Sequence, residues 1–66
     1  MVNYKLIAKL LEDKNIQQKD LAAKAGVSPA MMTYIVNGLK TPSVKVLAVI
    51  AKELGVIVDD LLIKEE

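Results

Sequence analysis

The stretch from Ala25 to Pro29, which reads Ala-Gly-Val-Ser-Pro, constrains the fold more than any other part of the chain. Gly26 favours the end of a helix, because glycine readily adopts the left-handed backbone of a C-terminal cap. Two residues later, Ser28 is a good helix N-cap, and Pro29 suits the first helical position. The sequence therefore predicts a helix at 18–25, a short turn, and a second helix that begins at Pro29 and stops at Asn37 and Gly38.

Helical periodicity also covers the segments on either side of this pair. Apolar residues recur at helical spacing over 4–14, with Asn3 as the N-cap, and over 43–54, which Gly55 ends. A last short helix is predicted at 59–63. We therefore expect five short helices and no strand in a single all-α domain, residues 1–66. The fourth helix should bury a broad apolar face made of Val44, Leu47, Ala48, Ile50, Ala51 and Leu54.

The composition excludes several kinds of chemistry. The chain has no cysteine and no histidine, which removes disulfides, thiolate metal ligands and the commonest general base. We therefore expect no enzymatic activity, no metal, no cofactor and no small-molecule ligand. No signal peptide is readable, and no apolar run reaches the roughly 18 residues of a membrane span. These features predict a cytoplasmic protein without a membrane partner.

The charges are unevenly distributed along the sequence. Residues 1–45 carry seven lysines against three carboxylates, a net +4, whereas residues 46–66 carry two lysines against five carboxylates, a net −3. Such asymmetry favours one surface that meets a polyanion. An ordinary solvated surface is the alternative that charge alone leaves open. All nine cationic residues are lysine, which disfavours bidentate recognition of guanine by arginine.

Two helices joined by a short glycine-containing turn, the second opened by a serine cap, match a helix-turn-helix at 18–37. From residue 6 to residue 62 the chain resembles the Cro and phage-repressor family of regulators, also called XRE-like. The matching pieces are "IQQKDLAAKAGVS", "NG", "TPS", "LAVIAKELGV" and "DDLL". The resemblance implies a compact five-helix lambda-repressor-like domain. Most members of the family bind operator DNA as dimers, and a minority bind only proteins.

The resemblance also implies a role for individual side chains of the helix-turn-helix. The base-facing residues would be Pro29, Ala30, Thr33 and Tyr34, and the DNA-backbone residues would be Gln17, Gln18, Ser28, Asn37, Lys40 and Thr41. Four of these residues have an alternative role that does not involve DNA. Gln17 and Gln18 could be ordinary solvated first-turn residues, Asn37 could serve only to terminate the helix, and Tyr34 could pack against the protein.

Three positions or surfaces depart from the family pattern, and the first two involve the recognition helix. The family commonly has an Arg and a Glu where this chain has Leu11 and Val36, so we predict that a hydrophobic contact replaces an ion pair. The recognition helix also lacks Arg and Gln. Thr33 and Ala30 suit thymine methyl groups, which predicts an A·T-leaning half-site. With few strong base contacts available, DNA shape should contribute more of the sequence preference.

The C-terminal helices, 43–63, are expected to supply both core and dimer contact. Ile57 stands where the family usually has a serine N-cap, and together with Val49 and Leu39, two further apolar residues at outward-facing positions, it suggests association. We therefore predict a homodimer through Ile57, Val58 and Ile63, with scattered surface apolar residues as the alternative. The function predicted is a transcriptional regulator, more precisely a repressor of a palindromic double-stranded DNA operator. The alternative function is an antitoxin-like or anti-regulator module that binds a protein partner.

Overall fold

The computed structural model describes residues 1–63 and contains four α-helices followed by a short 3-10 helix. The α-helices are α1 (Tyr4–Asp13), α2 (Gln18–Ala25), α3 (Pro29–Val36) and α4 (Val44–Leu54), and the 3-10 helix is Val58–Leu61. The all-α class is confirmed. The last three residues of the predicted domain, 64–66, lie outside the described residues.

The last short helix, predicted at 59–63, has different bounds and is not a fifth α-helix. The segment is a four-residue 3-10 helix, Val58–Leu61, in which the N–H of Leu62 donates to the carbonyl oxygen of Asp59 at 3.2 Å. Leu62 itself is extended, with φ −106° and ψ 137°, because it pairs with the N-terminal segment of the chain. Tertiary pairing thus ends the helix before a full α-helical turn can form.

The helix boundaries follow from local capping, which the sequence predicts at Asn3, Ser28, Gly26 and Gly55. Asn3, Ser28 and Ser43 each accept a hydrogen bond from the backbone N–H three residues later, at 3.1 to 3.2 Å. Gly26 and Gly55 end α2 and α4 with φ angles of 74° and 71°. These caps satisfy orphan backbone groups at the helix ends.

One hydrophobic core joins all five helical segments. Its buried members are Ile7, Leu11, Leu21, Ala22, Met32, Ile35, Val36, Leu47, Ile50, Ala51, Leu54 and Leu61. The broad inner face predicted for α4 is too wide, because Ala48 is exposed and Val44 is 82% exposed. Val44 is the first residue of α4, and the other helices do not cover it. Ala48 lies beside the buried stripe of α4, which is formed at helical spacing by Leu47, Ile50, Ala51 and Leu54.

The two ends of the described chain pair with each other. Val2 and Leu62 form an isolated antiparallel bridge. The N–H of Asn3 donates to the carbonyl oxygen of Leu61, and the N–H of Ile63 donates to that of Met1, each at 2.7 Å. This pairing fixes the start of α1 beside the 3-10 helix.

Leu11 and Val36 belong to the same buried core, and α1 packs against α3. Their burial agrees with the expected replacement of an ion pair by apolar side chains. The direct contact between the two side chains stays a prediction.

Candidate nucleic-acid interface

The outer surface of α3 carries the four residues that the sequence assigned to base edges. Pro29, Ala30, Thr33 and Tyr34 are all exposed, and Tyr34 retains 44% of its accessible surface. The opposite side of the helix is held in the core by Met32, Ile35 and Val36, with Val27 and Met31 packed against it. α3 is therefore fixed by one face and presents the other to solvent.

A hydrogen bond connects the exposed face of α3 to the start of α2. The hydroxyl of Thr33 lies 3.2 Å from Oε1 of Gln18 and 3.1 Å from the carbonyl oxygen of Pro29. Both are acceptors, so the single hydroxyl hydrogen is directed to one or shared between them. The amide nitrogen of Gln18 is then the end left to donate to other groups. Gln18 and Thr33 are thus brought together, a contact that the sequence did not predict.

The N-terminus of α2 is open to solvent. Gln17 is the N-cap residue, but its side chain makes no capping hydrogen bond, and Gln17, Gln18 and Lys19 are exposed. Unpaired N–H groups and the helix dipole favour an anion at such a position. The side chains of the first turn carry opposite charges, Lys19 and Asp20, so the attraction of an anion to this position rests on the backbone N–H groups.

Ser28 and Asn37 serve the ends of α3. The Ser28 oxygen accepts the N–H of Met31 at 3.1 Å, and this bond leaves the hydroxyl hydrogen available to a further acceptor. The amide nitrogen of Asn37 donates to the carbonyl oxygen of Thr33 at 2.9 Å, so part of its hydrogen-bonding capacity already terminates the helix. Both residues are exposed and border the outer face of α3.

Lys40 and Thr41 lie in the loop between α3 and α4. Gly38 has a φ angle of 75°, and the N–H groups of Leu39 and Lys40 both donate to the carbonyl oxygen of Tyr34, at 2.8 and 3.3 Å. These bonds fold the loop back onto the end of α3. Lys40 and Thr41 are exposed, so their side chains are accessible beside that end of the helix.

The residues predicted for dimer contact differ in accessibility. Ile57 is 64% exposed and Ile63 is 42% exposed, whereas Val58 is partly buried and packs against the core. Ile57 precedes the 3-10 helix, and its N–H donates to a carboxylate oxygen of Asp60 at 3.3 Å. The isoleucine side chain cannot accept a capping hydrogen bond, but the Asp60 carboxylate satisfies the backbone N–H of Ile57.

An apolar groove of about 460 Å³ lies between the chain ends, the α3–α4 loop and the start of α4. The exposed side chains of Met1 and Val44 lie at its margin, and Lys40 and Thr41 also line it. The sequence did not indicate this groove, because its walls come from distant parts of the chain.

A core-anchored α3 with an exposed outer face, braced by α2, defines a helix-turn-helix protein. The family model described as "Helix-turn-helix" matches residues 7–61. The chain is also 42% identical, over 52 residues, to an uncharacterized HTH-type transcriptional regulator of Methanocaldococcus jannaschii, a match that covers 79% of each chain.

The chain belongs to the XRE-like family of helix-turn-helix proteins, as its sequence resemblance implied, and it is a DNA-binding transcriptional regulator by class. Among residues 1–63, no helix is long and apolar enough to cross a membrane.

Proposed function

We propose that the chain is a repressor that binds a palindromic operator as a homodimer, with α3 in the major groove. The observation that carries the proposal is the outer face of α3, whose Thr33 is hydrogen-bonded to Gln18 at the open N-terminus of α2. A phosphate at α2 and a base edge at α3 would then be bound through one connected pair of side chains. This is the arrangement that positions a recognition helix in register with the duplex.

The base-facing residues are Pro29, Ala30, Thr33 and Tyr34. With its hydrogen directed toward Gln18 or Pro29, the Thr33 hydroxyl offers lone pairs to the groove, and Ala30 offers a methyl group. A lone pair suits the amino groups of adenine and cytosine, and apolar groups suit the thymine methyl. Since the lone pair does not distinguish adenine from cytosine, the preference for an A·T-leaning half-site comes from the apolar contacts to thymine methyl groups.

The DNA-backbone residues are Gln17, Gln18, Ser28, Asn37, Lys40 and Thr41. The donors among them flank α3 at both ends, so that two stretches of phosphates would be bound on either side of the groove. Lys40 is the only cation in the set. Neighbouring lysines therefore supply much of the electrostatic attraction, and affinity should fall as salt rises.

Dimerisation would use the C-terminal region. Ile57 and Ile63 are exposed apolar side chains, while Val58 supports them from a half-buried position. Two-fold symmetry would place two copies of α3 about one helical turn of DNA apart. Occlusion of a promoter needs no further surface, which favours repression. We also propose that the protein acts in the cytoplasm and has no enzymatic activity.

The test is a titration of the protein against a selected operator and a random duplex, at several salt concentrations. Lys40→Ala should lower the slope of log affinity against log salt by about 1, because one phosphate contact is lost. Lys52→Ala is the matched control, since Lys52 is exposed in the last turn of α4, within the segment 46–66 that carries a net negative charge. Equal slopes for both variants would refute the assigned backbone contact.

The apolar groove favours a second candidate function, an antitoxin-like or anti-regulator module that binds a protein partner. Met1 and Val44 are more than four-fifths exposed at its margin, an arrangement suited to an apolar segment of another protein. Under this alternative the protein would not bind duplex DNA even at low salt, and Val44→Lys would abolish capture of the partner.

A further inference from the structure

The ring of Tyr4 lies directly against Gly38, in the turn that follows α3. A methyl group placed on Gly38 would lie 2.6 Å from Cε1 of Tyr4 and 2.8 Å from its Cδ1 and Cζ atoms. No side chain fits there unless the ring moves. Tyr4 is the first residue of α1, so the beginning of this helix is packed against the end of the recognition helix, 34 positions further along the chain.

The hydroxyl of Tyr4 is bonded to Cζ and therefore lies beside the same turn. Among residues 1–63 it has no hydrogen-bond partner, and none of their buried side-chain polar atoms lacks one. The hydroxyl of this half-buried residue therefore reaches solvent. Tyr4, Lys40 and Thr41 line the same groove, so the three residues are neighbours at this loop.

Packing alone would not require the hydroxyl, because a phenyl ring covers the glycine equally well. A phenol in this place adds one donor to a loop that already has a lysine and a threonine. Phosphate oxygens accept from tyrosine hydroxyls as they do from lysine.

We propose that Tyr4 is a DNA-backbone residue: its ring positions the Gly38 turn, and its hydroxyl donates to the phosphate that Lys40 neutralises. This inference rests on the proposed function. It assigns a DNA contact to α1, outside the helix-turn-helix.

The hydroxyl is tested with Tyr4→Phe, which keeps the ring on Gly38. Loss of one hydrogen bond to a charged phosphate oxygen should weaken binding about tenfold or more. The loss should be the same for the selected operator and for random duplex, since a phosphate contact carries no sequence information. The melting temperature should remain that of the wild type. Wild-type affinity in Tyr4→Phe, or a loss confined to one sequence, would overturn the hydroxyl contact.

A double variant tests whether Tyr4 and Lys40 share one phosphate. Tyr4→Phe should weaken binding less in the Lys40→Ala background than in the wild type, because contacts to one group are coupled. Multiplicative effects would overturn the shared phosphate.

The ring's role is tested by Gly38→Ala. It should weaken DNA binding more in the wild-type background than in Tyr4→Ala, where no ring opposes the added methyl group. Equal losses in the two backgrounds would overturn the positioning role. If the wild type binds no duplex at low salt, both the proposed function and this inference are overturned. If the wild type binds but the variants of Tyr4, Lys40 and Gly38 behave otherwise than stated, only this inference is overturned.

Discussion

The replacement of a family ion pair by Leu11 and Val36 makes a quantitative prediction about stability. The two side chains retain only 4% and 5% of their accessible surface. An unpaired charge at such a site destabilises a protein by about 3–5 kcal/mol. The free energy of unfolding of a domain this small is about 3–10 kcal/mol, so the single substitution Val36→Glu removes a large part of it.

In a domain of this size each kcal/mol lowers the melting temperature by about 4–8 °C, so Val36→Glu should lower it by about 12 °C or more. Leu11→Arg should have a smaller effect, because a long side chain near the end of α1 can extend its charge toward solvent. The double variant Leu11→Arg/Val36→Glu should be more stable than Val36→Glu alone, since each charge then has a partner.

Thermal unfolding monitored by circular dichroism measures all three variants. Leu11→Arg/Val36→Gln is the matched control, because it keeps the size of the second side chain without its charge. It should not recover the stability of the charged pair. Destabilisation in the double variant that equals the sum of the two single effects, within about 0.5 kcal/mol, would refute the contact between the two positions.

Three further predictions concern turns, caps and association. Gly26→Ala should lower the free energy of unfolding by about 1–2 kcal/mol through the positive φ alone, since no atom lies within 4 Å of the added methyl group. Gly38→Ala should lower it more, because the added methyl group also meets an aromatic ring. Thermal melts that rank the two variants in the opposite order would contradict this. Ser43→Ala should lower stability by about 1 kcal/mol, measured in urea, because α4 loses its N-cap. Ile57→Lys and Ile63→Lys should each shift sedimentation from dimer toward monomer, and an unchanged dimer would exclude these contacts.

The local part of the fold was predictable from the sequence. The bounds of α2 and the start of α3 agree with the expectation, and α4 begins at Val44, one residue after the predicted start. A helix end is predictable because it depends on a few adjacent residues such as Gly26 and Ser28. The exposed and buried faces of α3 also follow from the spacing of its apolar residues.

The contacts between distant segments were not predictable. The Val2–Leu62 bridge joins residues 60 positions apart, and neither residue carries a pattern that distinguishes a strand pair from a loop. That pairing is also the reason why the last helix is a short 3-10 helix. Exposure of Val44 depends on where α3 and the chain ends lie relative to α4, and periodicity within one helix does not contain this information.

The candidate site divides in the same way. Thr33 and Gln18 were each identifiable from the resemblance, but the hydrogen bond between them requires the angle between α2 and α3. The sequence did not indicate a DNA contact at Tyr4, because the spacing of apolar residues within α1 predicts a core position for it. Its contact with Gly38 depends on the packing of α1 beside the end of α3. A glycine and an aromatic residue 34 positions apart show no such relation in the sequence.

The most direct test of the account is a binding titration with Thr33→Ala/Tyr34→Ala beside the wild type. The protein is titrated against a selected operator and a random duplex, at about 50 and 200 mM salt. The account predicts that the wild type binds both duplexes at low salt and prefers the operator, and that the double variant loses this preference while keeping most of its affinity for random DNA. A double variant with unchanged sequence preference, or a wild type that binds no duplex at low salt, would contradict it.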